Sequence, residues 1–228
     1  MSDLQTQLPT DTWIYTSWEE YEQIVSNLLD EKGKSYYYKG HMRLEMPPVS
    51  FARGQDHVII IFAVTLFATI KGILATGLDT TTFRKTGVRD CQPDVAYYLR
   101  ERAQAIPAGT GIVSLDRYPA PDLVIEIAKT SLLDDLGTKR CLATSRFAST
   151  LYEELGVTEY WVVDVQNAQI IAYAIADQGS KRIQESQVLP GLVIAILEEA
   201  LRRSRELSQS EVGTWLLSQF QQQGRGNP

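Results

Sequence analysis

Two acidic residues carry the chemistry open to this chain. Glu126 lies inside Leu123-Val124-Ile125-Glu126-Ile127, an apolar run that reads as a short buried strand, with Pro119 and Pro121 breaking the chain upstream. A carboxylate is costly to bury in such a run unless it is paired or bound to a cation. Asp94 follows Pro93 and opens a second apolar run, Val95-Ala96-Tyr97-Tyr98-Leu99, 32 residues earlier (126 − 94). If these strands pair, their carboxylates converge on one hard cation. Mg²⁺ or Mn²⁺ takes one or two such oxygens and completes its shell with water. The chemistry is then activation of water and polarisation of a phosphate, with a nearby lysine neutralising the charge that develops. Asp122 shares the strand face of Val124 and Glu126 by period two, as a rim or supporting acid. The competing reading is structural: Asp94 and Asp122 both follow a proline, where aspartate serves turns. It does not reach Glu126, which sits inside its strand.

The elements that must position these acids are legible in outline. Ser17-Trp18-Glu19-Glu20 matches a capping box, and Tyr21, Ile24, Val25, Leu28 and Leu29 recur at helical spacing, predicting a helix to about residue 30. Tyr36-Tyr37-Tyr38, a turn at Lys39-Gly40, and His41-Met42-Arg43-Leu44-Glu45-Met46 predict a hairpin, ended by Pro47-Pro48. Its aromatic stripe belongs to a core or a sheet surface, with base stacking as a second use. A helix over about 55–71 is apolar nearly all round and therefore central. His57 stands near its start, either in a structural role or aimed at the site. Residues 80–84 are β-prone, and 100–119 form a long polar connection, a lid or plain surface. A helix from Thr130-Ser131 carries Asp134, Asp135, Lys139 and Arg140 and ends near Gly156. Strands over 160–164 and 169–175, a charged helix around 196–207 and an amphipathic segment over 211–222 follow. The class is α/β, a mixed central sheet flanked by helices, with an N-terminal helix and hairpin.

Bulk properties narrow the functions. A net charge of −6 and a sequence pI near 5.1 argue against a general nucleic-acid coat, though not against a local basic face. Cys91 and Cys141 make neither a disulfide framework nor zinc spacing, and residues 1–11 lack a signal-peptide pattern, so a reduced cytoplasmic chain is expected. The apolar run 58–70 has 13 residues, too short to cross a bilayer, so no membrane partner is expected. With only His41 and His57, no Gly-x-Ser-x-Gly and no glycine-rich phosphate loop, nucleophilic triads and nucleotide-loop chemistry are set aside.

Taken in order, Pro93-Asp94-Val95, Pro121-Asp122-Leu123-Val124-Ile125-Glu126-Ile127, Ser131…Asp135-x-x-x-Lys139 and Tyr152-x-x-x-Gly156-Val157-x-Glu159-Tyr160-Trp161 resemble the Uma-two family, described as putative restriction endonucleases, within the PD-(D/E)xK nuclease superfamily. Met46-Pro47-Pro48…His57 is similar to the same family's N-terminal segment, and the likeness runs from about Trp18 to Leu197. The resemblance implies a restriction-endonuclease-like core, a divalent metal (Mg²⁺ or Mn²⁺) and hydrolysis of phosphodiester bonds in DNA. It implies Asp94 as first acid and metal ligand, Glu126 as second, and Lys139 as the catalytic lysine, with His57, Asp122 and Asp135 in support. The organisation expected is a flexible terminus over 1–12, the nuclease domain over 13–200, a helical extension over 201–222 and a disordered tail over 223–228.

Two departures stand out. The superfamily places lysine two residues after the second acid, where this chain has Ala128; the resemblance moves the role to Lys139, with Lys129 ranked second. The family also separates lysine and tyrosine by four residues, whereas Lys139 and Tyr152 are 13 apart (152 − 139). At about 100° per residue an unbroken helix would put the two on opposite faces, so 141–151 is read as an insertion absorbed before Tyr152. Two other functions stay open: a non-catalytic binding or assembly protein on the same fold, and a phosphoesterase acting on nucleotides. Arg43, Arg53, Arg84, Lys85, Arg89, Arg100 and Arg102 are the candidates for a DNA groove, and cleavage of both strands would call for a homodimer.

Overall fold

Ser17 and Glu20 start the first helix by trading bonds. The Ser17 N–H donates to Glu20 Oε2 at 3.0 Å, and the Glu20 N–H donates to Ser17 Oγ at 3.2 Å. The structure, a computed structural model, describes residues 8–10, 12–27, 33–45, 50–128, 155–176 and 179–222. The expectations for most of residues 1–12, for 223–228, for Asp135 and Lys139, and for the 141–151 insertion fall outside them. The chain divides into two units, Met1–Pro48 with Thr82–Gln92 and Gly111–Arg117, and Val49–Thr81 with Pro93–Thr110 and Tyr118–Pro228.

The smaller unit holds α1 (Trp18–Asn27) and a sheet of β1 (Ile14–Tyr15), β2 (Lys34–Tyr38), β3 (His41–Glu45), β5 (Phe83–Lys85), β6 (Arg89–Cys91) and β8 (Val113–Ser114). The strand order is β1-β3-β2-β6-β5-β8, antiparallel except for β5 with β8. The β2–β3 turn puts Lys39 at φ 47° and Gly40 at φ 75°, the left-handed pair that a two-residue hairpin of matching twist requires. Tyr36, Tyr37 and Tyr38 are all buried, and Trp18 meets Tyr37 edge-on at 5.1 Å, so the aromatic stripe is core and not a base-stacking surface.

Asp90 of β6 is fully buried opposite Arg84 of β5, whose Nε and Nη2 both lie 2.5 Å from Oδ2. Burial lifts its carboxyl to about 6 against the pull of Arg84. The folded chain therefore holds this proton more firmly than the unfolded chain. The stability it contributes is full below the ordinary carboxylate value of 3.8 and is lost as pH rises to about 6. That swing is on the order of 3 kcal/mol. Asp90→Asn is expected to flatten the fall in melting temperature between pH 4 and 6. An unchanged slope would remove Asp90 as its source.

The larger unit holds the sheet β12-β11-β10-β9-β7-β4. Its strands are β4 (Ala75–Asp79), β7 (Val95–Leu99), β9 (Leu123–Ala128), β10 (Glu159–Asp164), β11 (Gln169–Ala176) and β12 (Gly179–Ile183). Only β9 and β10 run parallel. Helices α2 (Phe51–Ile70), α3 (Ile194–Arg203) and α4 (Gln209–Gln222) belong to the same unit. All five residues of β7 are buried, as are Leu123, Val124, Ile125 and Ile127 of β9, because these strands are covered on both faces. Tyr97 Oη is satisfied by Ile61 O and Thr65 Oγ1 of α2, both at 3.0 Å. Gly77 pairs with Tyr97 across β4 and β7, and a Cβ there would meet its ring at 2.9 Å.

Helix α2 begins at Phe51, four residues before the apolar pattern starts, because Ser50 caps it: Ser50 Oγ accepts from the Arg53 N–H at 3.3 Å. The helix has the length and apolar content of a bilayer span, yet it buries Ile59, Ile60, Ala63, Val64, Phe67 and Ala68 in the core. Its Asp56 is fully buried and takes both oxygens to Arg205, Nη1 on Oδ1 and Nη2 on Oδ2 at 2.6 Å. Arg205 Nη2 also donates to Val165 O at 3.1 Å. Glu159, at the start of β10, is buried and accepts from Trp161 Nε1, Ser186 Oγ and the N–H groups of Gln187 and Val188, which pins the 186–188 loop. The 100–119 connection contains a 3₁₀ helix, Arg100–Gln104, and strand β8. Two residues paired to a distant strand leave no local period to read.

Candidate functional site

Strands β7 and β9 are antiparallel, with Val95 opposite Ile125, Ala96 opposite Val124 and Tyr97 opposite Leu123. One step beyond this register sets Asp94 opposite Glu126. The contact follows: the Asp94 N–H donates to Glu126 Oε2 at 3.3 Å. Asp94 Oδ2 accepts from the Ile127 N–H at 2.7 Å, and its carbonyl accepts from the Thr80 N–H at 2.9 Å. Asp94 is 3% exposed, while Glu126 is half-buried. The two acids therefore stand side by side at the end of paired strands, with Asp94 held by backbone on both sides.

A cation completes the arrangement. Arg53 Nη2 donates to Asp94 Oδ1, and Arg53 Nε donates to Ile127 O at 3.1 Å. The guanidinium thus links the acid ahead of β7 to the backbone of β9. Sequence reasoning placed Arg53 only among candidates for a DNA groove. The available signal was the Ser50 cap, which puts Arg53 in the first turn of α2 and one turn before His57.

His57 has its Nε2 3.0 Å from Asp79 Oδ1, within ion-pair distance when the imidazole is protonated but not aligned for a hydrogen bond. Asp79 ends β4 opposite Val95, the residue after Asp94, so His57 reaches the strand edge beside the acid pair. Asp122 lies four residues before Glu126, about 13 Å along the strand. Its Oδ2 accepts from the Leu99 N–H at 2.8 Å and its Oδ1 lies 3.3 Å from Arg102 Nη1, so it closes the other end of β7. Strand length carries it away from the pair. Asp135, Lys139 and Lys129 lie outside the described residues.

Two hard carboxylates in adjacent cross-strand positions suit a divalent ion that keeps much of its water. The guanidinium on Asp94 Oδ1 stands in for such a cation and shows that this edge already stabilises positive charge. Among the described residues no cluster of three or more His, Cys, Asp or Glu side chains could hold a metal. The proposed groove cations are largely engaged within their own units. Arg43 pairs with Glu45 at 2.8 Å, Arg84 with Asp90, Arg102 with Asp122 and Arg53 with Asp94. Arg89 is buried over the Tyr38 ring, whereas Lys85 and Arg100 are exposed.

The fold is one already seen in a solved structure. It matches the crystal structure of "a putative nuclease belonging to DUF820 from Anabaena variabilis" with a TM-score of 0.50 and 13% identity, over 88% of this chain and 99% of that one. At that identity the likeness is one of fold. The family model Uma2, the Uma-two family, described as "Putative restriction endonuclease", matches residues 18–210, and the chain belongs to this family. Membership puts it in a class of hydrolases acting on phosphodiester bonds. No curated protein matches the chain.

Proposed function

We propose that this chain is a metal-dependent DNA endonuclease of the cytoplasm, using Mg²⁺ or Mn²⁺ and cutting both strands as a homodimer. The observation that carries the reading is Asp94 beside Glu126 across β7 and β9, joined by the 3.3 Å contact, in a chain of this family. A divalent cation, when bound, supplies Lewis-acid polarisation of the phosphate and lowers the pKa of water. The chain's own part is preorganisation. The Ile127 N–H fixes the Asp94 carboxylate, and the Asp94 N–H orients Glu126, so neither acid needs to reorganise when it takes up charge. Lys139 is proposed, from the sequence, to neutralise charge developing on the phosphate, with Asp135 supporting it. His57 is proposed to support the strand edge through Asp79.

The test is nicking of supercoiled plasmid by the full chain with Mg²⁺ or Mn²⁺, against an EDTA control. Cleavage is expected to require the ion and to be lost in Glu126→Gln and Asp94→Asn. Cleavage that survives both substitutions rejects the pair. A second reading, a non-catalytic binding or assembly protein on the same fold, is favoured by Ala128 in the motif's lysine position and by guanidinium groups already engaged with carboxylates. A folded chain that binds no divalent ion by calorimetry would select it.

A further inference from the structure

Arg53 makes the contact with Asp94 that a cation would make. Its side chain is anchored twice, to Asp94 Oδ1 and to Ile127 O, and its backbone is anchored by the Ser50 cap. Asp94 has a side chain only 4% exposed, and a carboxylate so buried needs a counter-charge to stay ionised. Arg53 provides one from within the chain. Its own side chain is 17% exposed, so the guanidinium has a path toward water that Asp94 lacks.

We infer that Arg53 is an internal counter-ion of Asp94, and that a divalent cation binds by taking Asp94 Oδ1 over from its guanidinium; this rests on the metal-dependent reading above. Two positive groups cannot share that oxygen without strong repulsion, even at the effective dielectric of about 20 that suits protein charges. The affinity for the ion is then set partly by how readily Arg53 leaves. Asp94 keeps a counter-charge when divalent ions are scarce, and the site opens to them only above a raised threshold. Lysine keeps the charge but lacks the planar fork that reaches both Asp94 and Ile127, so it leaves more easily.

Mn²⁺ binding to the full chain, stripped with EDTA, can be followed by loss of the free-ion EPR signal, with folding checked by near-UV circular dichroism. Arg53→Gln is expected to bind Mn²⁺ at least about tenfold more tightly than the unsubstituted chain, and Arg53→Lys about threefold more tightly. Glu126→Gln is expected to lose the tight site. Binding by the unsubstituted chain that Glu126→Gln abolishes, but that Arg53→Gln leaves equal or weaker, overturns the counter-ion role while the metal reading stands. Mn²⁺ binding by neither the unsubstituted chain nor the folded Arg53→Gln variant overturns both. Should Arg53→Gln fail to fold, Arg53→Lys decides, and affinity at or below that of the unsubstituted chain rejects the proposal.

Discussion

Glu126→Gln is expected to lower phosphodiester cleavage by on the order of 10²-fold or more while leaving the fold intact. Glutamine keeps a carbonyl oxygen that can still accept the Asp94 N–H, so the β7–β9 edge retains its contact. What it removes is the negative charge that would hold a hard cation. Asp94→Asn should match or exceed that loss of activity, but it is less clean. Both Asp94 oxygens accept from donors, the Ile127 N–H and Arg53, so the amide NH₂ must face one of them. A stability loss of about 1–3 kcal/mol is expected with it. Plasmid nicking should therefore be read beside a melting curve for each variant. Full cleavage by a folded Glu126→Gln chain would be incompatible with a site built on this pair.

Arg205→Ala is expected to destabilise the larger unit by about 3–5 kcal/mol. Asp56 is fully buried in α2, and Arg205 covers both its oxygens from just beyond α3. Truncation leaves an uncompensated buried carboxylate and removes the bond to Val165 O. Burial already raises the Asp56 carboxyl above its ordinary value, with the Arg205 bond and charge opposing. Without Arg205 the carboxyl rises further. Protonated Asp56 no longer needs a counter-ion, so the deficit of the variant should be largest at neutral pH and shrink as pH falls toward 4. Urea melts at pH 7 and pH 4.5 measure both effects. A loss below 1 kcal/mol at pH 7, or a deficit that grows in acid, would show that the pair is not the tie between α2 and the segment after α3. Replacing both partners by apolar residues of similar volume should cost far less than removing Arg205 alone, because no charge is then left buried.

The strongest sequence signals were local ones. The capping box, the Lys39-Gly40 hairpin and the apolar runs of β7 and β9 are each written within a few neighbouring residues, and each forms as read. Strands β4, β6 and β12 were not legible. Two of them, β4 and β12, lie at the sheet edges, where one side is open and the apolar period is weak. The start of α2 was placed late because an apolar pattern marks where burial begins, while the Ser50 cap marks where helical geometry begins.

The sequence by itself determined that Asp94 opens one apolar run and Glu126 lies inside another, where a carboxylate needs a partner or a cation. The tertiary structure decided what surrounds them. Arg53 reaches Asp94 across 41 residues and Arg205 reaches Asp56 across 149, separations at which no local period carries information. It also decided that Asp122 belongs to the far end of β7, and that His57 answers to Asp79. Side-chain type and strand period say which residues can bear charge. Register and helix placement say which opposite charge, or which cation, each of them meets.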